Sequence, residues 1–204
     1  MSETEDRYLE DGRAILRRLG AAIQSLPEQL DEAFAEAVAL ILGCQGHVIV
    51  SGAGTSSAIA RQIAHLLTCA GAPSLYLDSG ESMHGGAAAV TSRDVLVVIS
   101  KGGETDELNN LAQTARQRGA QVIALLSDRQ STLACQSDVI IGFTVDEDAN
   151  GRGLLPFGSA LAAAAIGDAL CFAVMNVRGY SEADFLRIHP GGAVGKMLRG
   201  KHPE

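Results

Sequence analysis

The chain has 204 residues, 47% hydrophobic and 20% charged, enough for one substantial core and too few for two comfortable α/β domains. Its formal net charge of −8 argues against nucleic acid or an anionic membrane as the main partner, so an anionic ligand needs a local positive site. Four cysteines, Cys44, Cys69, Cys135 and Cys171, lie far apart in apolar segments without metal-ligand spacing, and read as small core residues of a reducing compartment. The acidic N-terminus has no apolar stretch of signal-peptide type. The longest run of small apolar residues, 160–166, is too short to span a bilayer and is soon followed by Asp168. A cytoplasmic protein without metal or organic cofactor is expected.

Residues 4–45 read as two helices. In the first, Leu9, Ile15, Leu16, Leu19 and Ile23 recur at helical spacing among charges. Ser25-Leu26-Pro27-Glu28 has the pattern of a capping box for the second, which carries Leu30, Phe34, Val38, Ile41 and Leu42 on one face. The apolar stripe is broad and the core that follows looks complete alone, so this leader is expected to reach a second subunit. From Gly46 the pattern becomes strand, glycine turn, helix, repeated. Strands are expected at 47–50, 74–77, 95–99, 121–126 and 139–143, with helices over 58–70, from the third strand's turn to about Arg118, and over 159–178. Such alternation indicates right-handed βαβ units in a doubly wound, five-stranded parallel sheet flanked by helices. The division is a helical leader, 1–45, and one α/β domain, 46–204. Ligands of such sheets bind beyond the carboxyl ends of the strands. The turns after strands one and three, the His84 loop and the loop 146–158 should share that edge.

The most informative stretch is 95–107, VLVVISKGGETDE. Five apolar residues suit a strand buried on both faces, and two glycines then allow a tight turn into a helix. A helix N-terminus carries about half a positive charge, and Lys101 adds a full one, so this turn suits a phosphate. The turn after strand one, Gly52-Ala53-Gly54-Thr55-Ser56-Ser57, offers a competing dinucleotide reading, with Asp78 at the end of strand two as the ribose acid. Ser57 in place of the third glycine, and a second phosphate-type turn with no role in binding NAD, weigh against it.

The order of VSGAGTSS, AGAPSLYLDSGESMHGG, VVISKGGETDE, IGDALC and GYSEADFLRIHPGGAVGKML resembles the sugar isomerase (SIS) domain family. It is most similar to the arabinose-5-phosphate isomerase group, over roughly 46–198. The resemblance implies a flavodoxin-like domain that binds a sugar phosphate, assembles as a homodimer or homotetramer, and holds the phosphate in the turn after strand three. Phosphosugar contacts are then expected from Gly54, Thr55, Ser56, Ser100, Lys101, Gly102, Gly103 and Thr105. Aldose–ketose isomerisation moves a proton between adjacent carbons through an enediol, which needs a base, a polarising group and an anchor on the phosphate. Glu104 and His84, on turns expected at neighbouring strand ends, are candidates for proton transfer, with Glu81 a weaker partner. The resemblance adds His189, whose family counterpart often completes a neighbouring subunit's site, and Asp148, the counterpart of a family glutamate. Arg152, between two glycines, could meet an anion or offset the acidic loop.

The departures concern the substrate. Thr55 stands where the group has lysine, and Ser100-Lys101-Gly102-Gly103-Glu104 replaces Ser-Asn-Ser-Gly-Glu. Phe157 and Gly158 replace hydroxyl residues. The sequence is expected to lack the paired nucleotide-binding CBS modules into which many relatives continue. A sugar-phosphate isomerase with a best substrate other than arabinose 5-phosphate is the expectation. A non-catalytic phosphosugar sensor and a lyase or hydrolase of a modified sugar phosphate are the alternatives, since fold alone does not choose among them.

Overall fold

The three central strands of the sheet are short runs rich in valine, isoleucine and leucine that bury both faces, and the helices follow from the apolar stripes between the strands. The computed structural model describes residues 2–151, 153–188 and 197. In chain order these form α1 (Glu3–Gln24), α2 (Glu32–Gly43), β1 (Val48–Gly52), α3 (Thr55–Cys69), β2 (Ser74–Tyr76) and a one-turn α4 (Ser79–Ser82). There follow β3 (Val95–Ile99), α5 (Asp106–Gln117), β4 (Gln121–Leu126), a one-turn α6 (Thr132–Cys135), β5 (Val139–Gly142), α7 (Phe157–Arg178) and α8 (Glu182–Ile188).

The strands pair in the order β2-β1-β3-β4-β5, every neighbour parallel, which is the doubly wound sheet that the alternation predicts. Side chains alternate across it with a period of two. Val95, Val97 and Ile99 of β3 join the core under α2, α3 and α7. Leu96 and Val98 join the opposite core, under α5. All five residues of β1 and of β3 are buried, including Ser51, whose hydroxyl donates to the Leu77 carbonyl at 2.8 Å. Each fully buried leucine or isoleucine stabilises the fold by about 1.5–3 kcal/mol.

The small residues of α7 allow a close helix crossing. A Cβ on Gly167 would come within 2.2 Å of Ile63 Cδ1 on α3, so the two helices approach as closely as glycine permits. At 22 residues α7 is long and apolar enough to cross a membrane by length and composition alone. Here Ala162, Ile166, Leu170 and Val174 bury it in the domain core.

Two expectations about the leader are corrected. Ser25 does not cap α2. Pro27 opens a separate 3-10 turn, Pro27–Gln29, and Asp31 caps α2 by accepting from the Ala33 N–H at 3.1 Å. Nor is the core after Gly46 complete alone, because Ala37, Val38 and Ile41 of α2 are buried in it. The Gln29 amide pairs with the backbone N–H and C=O of Thr144, just past edge strand β5, at 2.7 and 3.1 Å. The cysteines also divide: Cys171 is buried, Cys44 and Cys69 are partly covered, and Cys135 is exposed. Burial pushes the Cys171 thiol up to about 12, which keeps it unreactive.

At the amino edge of the sheet, buried Asp94 accepts from the His47 N–H at 2.7 Å and from both the N–H and hydroxyl of Thr91 at 2.7 Å. It therefore ties the start of β1 to the start of β3, opposite the edge where a ligand would sit.

Candidate functional site

The strand order reverses at β1 and β3: the chain runs outward from β1 to β2, then crosses back to lay β3 on the other side of β1. The turns leaving two such strands diverge and open a crevice. After β1 the helix turn lies almost on the strand, since a Cβ on Gly52 would meet the Ser56 carbonyl oxygen at 2.5 Å. Gly54, at φ +56°, stands before α3 and offers it no side-chain cap. The Ser57 hydroxyl is turned back onto the Gly54 carbonyl at 2.7 Å.

The turn after β3 is pinned from two sides. Within it, the Gly103 N–H donates to the hydroxyl of buried Ser100 at 3.2 Å. From beyond β4, the N–H groups of Ser127 and of Leu133 in α6 donate to the carbonyls of Lys101 and Gly103 at 2.9 and 3.1 Å. Gly103 has φ +67°, and a Cβ there would fall 2.1 Å from Ser131 Oγ, so any side chain is excluded twice over. Thr105 begins α5 without capping it. The first N–H groups of α3 and α5 therefore lack side-chain caps.

A small cleft of about 40 Å³ lies at this edge, lined among others by Thr55, Ser56, Ile99, Lys101, Phe143 and Ser159. It brings together the turns after β1 and β3, the end of β5 and the start of α7. Lys101 is the one charged side chain among the described residues that line it. Pro156 does not cap α7. Asn150, nine residues upstream and buried, does so by accepting from the Ser159 N–H at 2.9 Å.

The candidate acid–base residues are less concentrated. Both oxygens of Glu104 are taken by Thr132, through its N–H at 2.7 Å and its hydroxyl at 2.8 Å. Glu104 thus ties the phosphate-type turn to α6. His84 is exposed and follows α4, which Asp78 caps by accepting from the Gly80 and Glu81 N–H groups at 3.0 and 3.2 Å. The expectation that His84 and Glu104 sit at neighbouring strand ends is corrected: β1 lies between β2 and β3, and α4 packs on α5. Glu81, on α4, is exposed as well. Asp148 lines a groove of about 460 Å³ against α1, together with Arg18, Ser25 and Gln29. Its neighbour Glu147 faces the other way, its Oε1 3.2 Å from Lys101 Nζ. The two acids part because they are consecutive in a 3-10 turn, Glu147–Ala149, whose side chains step by about a third of a revolution. His189 and Arg152 lie outside the described residues.

Sequence reasoning did not pick out Glu147, Asn150 or Thr132. An Asp-Glu-Asp run gives no phase, and neither distant partner has a spacing rule. Asp78, the candidate ribose acid, is occupied otherwise. Besides capping α4 it accepts from the Tyr76 hydroxyl at 3.0 Å, and the Arg61 guanidinium stacks on the Tyr76 ring at 3.8 Å from its centroid. The Glu81 N–H, then the Tyr76 hydroxyl, hold the Asp78 carboxyl below its ordinary value. Among the described residues no group of His, Cys, Asp and Glu is arranged to hold a metal ion.

Crevice, turns and strand order describe a doubly wound α/β domain with an open site at its switch point, and comparison with known proteins gives its family. The SIS domain family matches residues 41–173, and the chain belongs to that family. It is 37% identical over 97% of its length to the arabinose 5-phosphate isomerase KpsF of Escherichia coli O6:H1, of which it covers 61%. The chain thus spans about three fifths of the curated relatives it matches. A putative sugar-phosphate isomerase of Listeria monocytogenes superposes with a TM-score of 0.88 at 29% identity, over 94% of this chain and all of that one. An E. coli protein in complex with arabinose 5-phosphate gives 0.86 at 28% identity, over 93% of this chain and all of that one.

Proposed function

We propose that the protein is an aldose–ketose isomerase that moves a proton between adjacent carbons of a sugar phosphate through an enediol. The observation that carries this is the cleft between the turns after β1 and β3, with Lys101 at its wall, in a chain similar along 97% of its length to arabinose 5-phosphate isomerases. Gly54, Thr55 and Ser56 meet the ligand from one side. The turn Ser100, Lys101, Gly102, Gly103 and Thr105 holds the phosphate from the other, with Lys101 as its charge. Proton transfer falls to Glu104 and His84, with Asp148 and His189 as the further candidates. The protein works in the cytoplasm and assembles as a homodimer or homotetramer; exposed Tyr8 and Leu16 on α1 and Phe172 on α7 support the assembly.

Anchoring the phosphate at a fixed distance from the reacting carbons supplies much of the acceleration by orientation alone. The site departs from the resembling isomerases at Thr55, where a hydroxyl stands in place of an ammonium, and charge-assisted contacts are roughly twice as strong as neutral ones. Lys101 restores a charge from another direction, which suits another hydroxyl pattern or chain length.

The test is a thermal-shift screen of five-, six- and seven-carbon sugar phosphates, followed by NMR of solvent proton exchange on the ligands that stabilise. Exchange and interconversion are expected with at least one. Stabilisation without either would overturn catalysis and leave a sensor. With arabinose 5-phosphate, turnover well below an enzyme-typical ~10 per second is expected, and Thr55→Lys should raise it. Wild-type turnover at that typical value would show that the substrate is unchanged.

A further inference from the structure

Among the described residues, the one ion pair made by a side chain that lines the candidate cleft joins the phosphate-type turn to the acidic loop: Lys101 Nζ to Glu147 Oε1, 3.2 Å. Both ends are anchored by backbone. The Lys101 carbonyl accepts from the Ser127 N–H at 2.9 Å, and the Glu147 carbonyl accepts from the Asn150 N–H at 2.9 Å. Both side chains reach water, with 43% of the lysine and 71% of the glutamate side chain exposed. Glu147 also sits between Asp146 and Asp148, so this loop is a source of repulsion for any anion entering the cleft.

We infer that Glu147 is an internal counter-ion, which holds Lys101 across the mouth of the cleft and is displaced from it by the phosphate dianion of the ligand. The inference rests on the reading of this cleft as a phosphate-ester site, and is independent of whether the bound sugar is isomerised. An exposed ion pair is worth only about 0.2–1 kcal/mol, a factor of roughly 1.4–5 in an equilibrium constant. Its cost to an incoming ligand is therefore small. A phosphate monoester carries about −1.5 to −2 at neutral pH and offers three acceptor oxygens, so it displaces a single carboxylate from one ammonium. A monoanion gains little by the exchange. Glu147 thus sets a small threshold that a dianion, through its stronger pull on Lys101, clears more readily than a monoanion, and ligand affinity should rise as pH passes the second phosphate pKa, near ~6.

The experiment is calorimetric titration with inorganic phosphate and with arabinose 5-phosphate of four proteins: wild type, Glu147→Gln, Lys101→Met and the double variant. Equal thermal unfolding midpoints serve as the folding control, and these exposed side chains should leave them unchanged. Glu147→Gln should tighten both ligands about two- to fivefold, and Lys101→Met should weaken both about tenfold. In the Lys101→Met background the glutamine should bring no gain, because the pair is already gone. An unchanged or weaker dissociation constant for Glu147→Gln would overturn the inference. So would the same gain with Lys101 absent, which would reduce Glu147 to general repulsion, or no binding by any of the four at millimolar ligand. Binding that follows the expected pattern without turnover would instead count against the isomerase and leave the counter-ion standing.

Discussion

Glu104 is held by two donors of one residue, and that geometry decides how its role is tested. The Thr132 N–H and hydroxyl fix the carboxylate in one direction, so it cannot swing to follow a substrate. A group meant to take a proton from a bound sugar gains from being fixed, because misplacement of a base by about 1 Å can cost a hundredfold. The same bonds also suit a purely structural tie between the β3 turn and α6. Glu104→Gln separates the two. Glutamine keeps the size and an acceptor for Thr132, so the turn and ligand affinity should survive. As the proton-transfer group, however, its loss should lower kcat at least about a hundredfold with KM little changed. Steady-state kinetics on whichever sugar phosphate is turned over will tell. Normal turnover by the variant would leave Glu104 as the tie alone.

At the scale of elements, most strands and helices were legible because their determinants are local. Val95–Ile99 and Gln121–Leu126 fall where unbroken apolar runs place them, and α7 ends at Gly179, whose φ of +62° stops the helix. The misreadings arose where the deciding partner is distant. Ser25-Leu26-Pro27-Glu28 has the capping-box spelling, yet Pro27 starts a 3-10 turn of its own and α2 waits for Asp31, which the Arg129 guanidinium holds at 2.9 Å from the β4–α6 loop. In the site, the glycine turns were visible as turns. That Glu147 rather than Asp148 meets Lys101 was not, since it depends on the phase of a three-residue turn. The cap of α7 is another distant partnership. Asn150→Ala should expose the need: it leaves the buried Ser159 N–H without its acceptor and should cost about 0.5–2 kcal/mol, as the loss of other N-caps does. Because Ser159 lines the cleft, ligand affinity should fall as well. Urea unfolding and titration on the same variant measure both, and an unchanged midpoint would show that Asn150 is not the cap that matters.

In the whole molecule, the edge of the sheet proposed for binding and the opposite edge are built differently. The carboxyl edge carries the glycine turns after β1 and β3 and the uncapped starts of α3 and α5, which leave N–H donors open. The amino edge carries their opposite in Asp94, a buried carboxylate satisfied by three donors. Burial alone would push its carboxyl up. The His47 N–H and the two Thr91 donors more than offset this and hold it below the ordinary carboxylate value. The sign follows from linkage: a folded-state value below the unfolded one, near ~3.9, contributes stability that is complete above the unfolded value. That contribution is lost as pH falls through the folded one. Asp94→Asn removes the titration and leaves at least one N–H facing a donor, so it should cost about 1–3 kcal/mol at neutral pH. Its deficit relative to wild type should shrink below pH ~3.9, where the unfolded chain takes up this proton before the folded one does. Since the whole length of β1 and β3 separates Asp94 from the cleft, kcat/KM and phosphate affinity at neutral pH should stay at wild-type values. Chemical denaturation from pH 3 to 7, with a phosphate titration at pH 7, checks both halves. A deficit that persists unchanged to pH 3 would mean that the charge of Asp94 does not stabilise the sheet, and a loss of affinity would mean that the two edges are coupled.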